Sequence, residues 1–173
     1  AAAPVASQPL LEGVETSRGS VPNLLRIVSN SPAALQGYLG LNGALGKGSL
    51  SVATRERIAL AIANTNGCDY CNSAHTFLGK TLAKLEDAEI AANRAGSSTD
   101  AKAHAAVAFA VKVATARGHV SNADISEVRA AGYSDGEIVE IIAHVALNVL
   151  TNYVNEALGT EIDFPVVEAA RAA

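Results

Sequence analysis

The reading of the fold turns on residues 51–79, SVATRERIALAIANTNGCDYCNSAHTFLG. In its first half Ile58 and Ile62, with Ala and Leu between and beside them, recur at the three- and four-residue spacing of a helix that buries one side. Ser51 or Thr54 supplies the capping oxygen, Glu56 falls in the first turn, and Asn64-Thr65-Asn66-Gly67 ends the segment. The second half renews the period. A helix starting at Asn66 or Gly67 carries Cys68, Cys71, His75 and Leu78 down one face and stops before Gly79. No stretch alternates with period two, so the sequence predicts an all-α protein.

Toward the N-terminus, Pro22 opens a helix through about Val28. Ser31-Pro32 then pairs a cap with proline at the first helical position, for a helix running toward Leu45 and the Gly46-Lys47-Gly48 breaker. Residues 1–20 read as an N-terminal tail, and Ala1 to Leu10 lacks the basic start and long apolar core of a retained secretory signal. Toward the C-terminus, helices are expected from Glu86 to Arg94, from Asp100 to Arg117 before Gly118, from Ser121 to Gly132, and from Ser134 to Leu158 before Gly159. Glu137 completes a capping box with Ser134. Glu161 to Pro165 reads as an extended segment that packs by Phe164, and 166–173 as a C-terminal tail, leaving one helical domain over 21–165.

An offset of 80 residues aligns Thr54 to Gly79 with Ser134 to Gly159 and pairs Ile58 with Ile138, Ile62 with Ile142, Asn72 with Asn152 and Gly79 with Gly159. This suggests a diverged internal two-helix repeat. In the second copy Glu56, Cys68, Cys71 and His75 become Gly136, Asn148, Thr151 and Asn155, so only one half keeps reactive groups.

Composition narrows the classes of function. The 173 residues are 49% hydrophobic and 4% aromatic with a formal net charge of -4, and mean hydropathy is +0.21 at a pI near 5.5. That is the composition of a packed domain, not of a disordered chain. The 13 Lys and Arg are spread thinly, so no basic stripe faces a phosphate backbone and nucleic acid is not an expected partner. Glu140 and His144 interrupt the most apolar stretch, which argues against a membrane span. Cytoplasmic localisation is the expectation.

Two cysteines two residues apart close almost no loop as a disulfide, so they read as redox-active or metal-binding rather than as a staple. The thiolate is the reactive form, favoured by a helix N-terminus or a nearby base. Cys68 has the first advantage; Cys71, with His75 one turn on, has the second. A dithiol at this spacing takes up an oxidising equivalent as a sulfenic acid on one sulfur, which the other resolves to a disulfide. Glu56, on the preceding helix, is a candidate to orient His75 or to pass protons through a water, although taken alone it reads most simply as a solvated first-turn carboxylate that favours the helix dipole. A zinc site of Cys68, Cys71 and His75, completed by Glu56 or a distant histidine, is the rival reading. Tyr70 lines a substrate entrance or packs, Asp69 favours the helix start, and Asn148, Asn152 and Tyr153 face a pocket or a neighbouring helix. His104, His119 and His144 have no partner at a diagnostic spacing and read as surface or core residues. No nucleotide or flavin motif occurs, so no organic cofactor is expected.

Glu56, Cys68, Cys71 and His75, in the pattern E-x11-C-x2-C-x3-H, resemble the active-site signature of the alkylhydroperoxidase D-like branch of the carboxymuconolactone decarboxylase superfamily. The likeness extends from about Val21 to Pro165. It implies an all-helical homo-oligomer, trimeric or hexameric, with the Cys pair at a helix start in a subunit-bounded pocket. It further implies reduction of hydrogen peroxide or organic hydroperoxides, recharged by an unidentified dithiol. In that scheme Cys71 is the peroxidatic sulfur, Cys68 the resolving one, and His75 with Glu56 the proton relay, with no metal. The sequence departs from alkylhydroperoxidase D in having Tyr70 where that protein has histidine, and in carrying the motif in its first half, and so resembles the peroxidase-related members more. The superfamily name also points to an alternative, decarboxylation of a small lactone acid, which needs no dithiol.

Overall fold

The computed structural model describes residues 3–170. Among these there is no strand. A 3-10 turn over Val5–Ser7 leads into α1 (Gln8–Arg18), followed by α2 (Asn23–Val28), α3 (Pro32–Leu45), α4 (Val52–Thr65), α5 (Asp69–Thr81), α6 (Asp87–Arg94), α7 (Ala101–Thr115), α8 (Asn122–Ala130) and α9 (Asp135–Leu158).

The architecture is organised around α4. Its six consecutive residues Ile58 to Ala63 are all buried, because α5, α6, α7 and α9 surround it. A helix apolar on every side is a core helix, and the three alanines let its neighbours approach closely. Ile58 and Ile62 meet Phe109 and Val113 of α7 and Ile138, Ile141 and Val145 of α9 in the main core. On another side Leu60 packs with Leu85 and Ile90. The side chains of Ser31, Ser51, Asp100, Ser121 and Ser134 accept hydrogen bonds at the starts of α3, α4, α7, α8 and α9. The capping box of Ser134 with Glu137 is present as expected.

Several segments differ from the sequence reading. Within the expected 1–20 tail, whose first two residues lie outside the described ones, α1 seats Val14 beside Leu25 and Leu35, with Leu10 and Leu11 against the same cluster. The second cysteine helix begins at Asp69 rather than at Asn66 or Gly67, and Gly79 lies inside it. A β-carbon at Gly79 would come to 3.5 Å from Leu85 and 3.7 Å from Leu60, so this glycine marks close packing and not a helix stop. The two-helix repeat is not present as such. The α4–α5 pair turns at Asn66-Gly67, whereas the aligned Ala146-Leu147 lies within the unbroken α9.

The segment after Pro165 is held, not loose. Val167 donates its N–H to Ser73 Oγ, Ala169 to Asp69 Oδ1 and Ala170 to Asn64 Oδ1, and Arg94 Nη2 reaches the Glu168 carbonyl. Residues 171–173 lie outside the described residues. The 24 residues of α9 are long and apolar enough to cross a membrane by length and composition, a point the interruptions at Glu140 and His144 did not convey. Here α9 packs against α2, α3, α4, α5, α7 and α8.

Candidate active site

The site begins with a backbone turn. Gly67 has φ +70, a left-handed conformation that a side chain disfavours, and the Cys68 N–H turns back to the Ala63 carbonyl to close α4. Asn66 Nδ2 donates to Asn152 Oδ1 at 2.8 Å, tying this turn to α9. Cys68 therefore becomes the N-cap of α5, and its Sγ accepts the Cys71 N–H at 3.2 Å.

Both thiols are free and buried, but their environments separate them. Cys71 is lowered to about 7 by the hydrogen bond from the Cys68 thiol, against the effect of burial, with help from the charge of His75 and the amides of Asn155 and Asn152. Asn155 Nδ2 lies 3.2 Å from the Cys71 sulfur. Cys68 is raised, first by that same shared hydrogen bond, which holds its proton, and then by burial. The helix terminus alone favours Cys68 as the more acidic thiol. That expectation is overturned, since the single Cys71 amide at its sulfur is outweighed by the neighbouring thiolate and by loss of water.

His75 follows Cys71 by one turn, and its Nδ1 lies 2.8 Å from Glu56 Oε2. Burial disfavours the imidazolium. The Glu56 carboxylate, the hydrogen bond to it and the Cys71 charge outweigh that effect, and His75 is raised. The four residues chosen from the sequence are thus brought together: Glu56 from α4, Cys68 at the cap, and Cys71 and His75 on α5.

Cys71, His75 and Glu56 line a cavity of about 820 Å³, and Cys68 does not. Leu24, Tyr70, Phe77 and Phe164 form part of its apolar wall. Phe164 stands edge-on to Tyr70 at 5.7 Å, as the expected packing of the 161–165 segment required. The Leu24 N–H donates to the Tyr70 hydroxyl at 3.3 Å. A volume of this size, whose exposed lining is mostly apolar, suits an organic ligand.

Of the remaining residues, Asn148 lines the cavity, Asn152 bonds the α4–α5 turn, and Tyr153 is exposed on the far side of α9. His104 bonds Ser97 Oγ. Three groups were missed. Arg55 and His144 line the cavity, and Asn155 reaches the reactive sulfur. The signal for the last was present: His144, Asn148, Thr151 and Asn155 form a polar stripe of helical period inside the most apolar helix. Among the described residues no three His, Cys, Asp or Glu side chains form a group that could hold a metal ion.

The sequence model of the carboxymuconolactone decarboxylase family matches residues 32–116, from α3 through α7 and across the whole Cys68–His75 site. The chain belongs to the carboxymuconolactone decarboxylase superfamily. Among solved structures it is similar to a peroxidase-related protein with an alkylhydroperoxidase AhpD core from Ralstonia eutropha JMP134. The two are 26% identical over 93% of this chain and 87% of that one, with a TM-score of 0.82. A peroxidase-related protein from Silicibacter sp. TM1040 is 24% identical over 96% and 87%, with a TM-score of 0.79. The fold is also that of the debrominase Bmp8, solved as a cysteine-to-alanine variant with 2,3,4-tribromopyrrole, at 21% identity over 92% and 86% and a TM-score of 0.76. No curated protein matches the sequence. In this chain the Cys pair sits at the start of α5, with Cys71 bordering the cavity.

Proposed function

We propose that the protein is a thiol-dependent peroxidase that reduces hydrogen peroxide or organic hydroperoxides through a Cys68–Cys71 dithiol–disulfide cycle. The observation that carries this reading is the division of labour between the sulfurs: Cys71 lines the cavity with a lowered pKa, and Cys68 stands behind it as a protonated hydrogen-bond donor.

The Cys71 thiolate attacks the distal oxygen of the hydroperoxide. An S–O bond forms, the O–O bond breaks, and the departing alkoxide takes a proton from the His75–Glu56 pair to leave as an alcohol. Cys71 is then a sulfenic acid. Cys68 loses its proton and attacks that sulfur, forming the disulfide and releasing water. A dithiol reductant returns two electrons and two protons by exchange. Such a cycle belongs in a reducing compartment, for which the cytoplasm is the proposal.

We also infer a homo-oligomer, trimeric or hexameric. Val139, Ile142, Leu150 and Tyr153 are exposed along one side of α9, a run of apolar surface that supports association.

The test is the intact mass and thiol count of reduced protein before and after one equivalent of hydroperoxide. The expected result is loss of two hydrogens and of both thiols. Cys68→Ser stops at a sulfenic acid trapped by dimedone, and Cys71→Ser does not react. Unchanged thiols in the wild type overturn the reading. Lactone-acid decarboxylation surviving in the Cys68→Ser/Cys71→Ser variant would put the lyase alternative first. Because a debrominase shares the fold, consumption of a bromopyrrole is assayed alongside.

A further inference from the structure

Two polar groups in the cavity have no part in the thiol chemistry. Arg55 precedes Glu56 on α4 and is partly buried in the cavity wall. Its Nη1 donates to the carbonyls of Leu45 at 3.1 Å and Gly46 at 2.6 Å, which closes α3. Its Nε and Nη2 donors have no partner among the described residues, nor does any described carboxylate pair with it, the adjacent Glu56 being engaged by His75. His144, on α9, is 6% exposed. It lines the same cavity, and its Nε2 has no hydrogen-bond partner. Burial, and then the nearby Arg55 charge, lower its pKa, so at neutral pH it is an uncharged imidazole able to donate one hydrogen bond.

An orphaned buried imidazole nitrogen in a mostly apolar cavity is unfavourable without a partner, and beside it the Arg55 guanidinium keeps donors that its two carbonyl partners do not use. One ligand group satisfies both. It must carry negative charge for Arg55 and acceptor oxygens for both side chains, which describes a carboxylate. In the same cavity Leu24, Tyr70, Phe77 and Phe164 offer apolar contact to the rest of such a molecule.

We propose that Arg55 and His144 form an anion-binding subsite, and that the preferred substrate is an amphipathic organic acid whose carboxylate docks there while its hydroperoxide lies at Cys71. The second half of this statement rests on the peroxidase reading; the subsite does not.

The experiment therefore has a binding arm and a turnover arm. Octanoate and the neutral octanamide are titrated calorimetrically into reduced protein at pH 7.5 and low salt. The expected result is that octanoate binds at least about tenfold more tightly. The preference disappears in Arg55→Met, is weakened in His144→Phe and is retained in part by Arg55→Lys, whose charge rescue separates anion binding from the support Arg55 gives α3. Equal binding of the two probes, no binding of octanoate, or an unchanged preference in Arg55→Met overturns the subsite.

In the second arm, linoleic acid hydroperoxide is compared with its methyl ester. The acid is expected to show the lower KM at similar kcat, with the difference lost in Arg55→Met. An octanoate preference without consumption of either hydroperoxide overturns the peroxidase reading and leaves the subsite standing. Equal turnover of both, with no octanoate preference, does the reverse.

Discussion

At Cys71 one sulfur receives a hydrogen bond from a thiol, another from the Asn155 amide, and the field of a histidine raised by its carboxylate partner. Each favours the thiolate, so alkylation of Cys71 by iodoacetamide is expected to rise with pH, reach half its limit near about 7 and fall away in acid. Removing a donor weakens the charged form. Asn155→Ala and Cys68→Ala each move that midpoint upward by about one pH unit, roughly the worth of a charge-assisted hydrogen bond; an unmoved midpoint in both would remove these groups from the account. Cys68, Cys71 and His75 were legible as candidates from their helical spacing, and Glu56 from the family resemblance of the E-x11-C-x2-C-x3-H pattern. The order of acidity was not legible. Asn155 is 84 residues from Cys71 in the chain, and no local pattern tells which sulfur keeps a shared proton.

Among the elements, α6 shows how a buried carboxylate joins neighbours. Glu89 accepts from Arg57 Nε of α4 at 2.6 Å, Asn93 Nδ2 at 2.9 Å, Ser98 Oγ at 2.5 Å and the Thr99 N–H at 2.7 Å. It thereby fastens α4, α6 and the link to α7. Burial alone raises such a carboxyl, but the bonds from Ser98, Thr99 and Asn93 outweigh it and hold Glu89 well below the usual range. Glu89→Ala strands the Arg57 charge and is expected to cost about 3 kcal/mol in urea unfolding at pH 7. Because the native pKa is depressed, this contribution is complete above the unfolded carboxylate pKa of roughly 4.3 and is lost as pH falls below it. The gap between wild type and variant should therefore narrow in acid, and a gap independent of pH would contradict the assignment. Helix starts were legible at this scale, since Ser31, Ser51, Ser121 and Ser134 cap through their own side chains. The first helix was not: its support is the contact of Val14 with Leu25 and Leu35, and a short helix is marginal without such packing.

For the whole molecule, the exposed apolar side of α9 bears on assembly. If it joins subunits, light scattering gives a mass that is a multiple of 17.6 kDa, and Ile142→Glu with Leu150→Glu returns the single-chain mass without loss of helicity, both positions being exposed. A wild-type protein at 17.6 kDa in dilute solution would remove the oligomer. Because the polar and apolar faces of α9 look toward different surroundings, the same helix that supplies Asn155 and His144 inward offers this stripe outward. The sequence by itself determined the all-helical class, most of the helix boundaries and the shared face of Cys71 and His75, because capping and the 3.6-residue period act within a few residues of chain, whereas Glu56 joined them through the family resemblance. Only the tertiary structure decided that α9 is one helix and not a copy of the α4–α5 pair, that Cys71 and not Cys68 meets the cavity, and that Arg55 and His144 share its wall. These depend on groups brought together from distant parts of the chain by burial, and burial is a property of the packed whole.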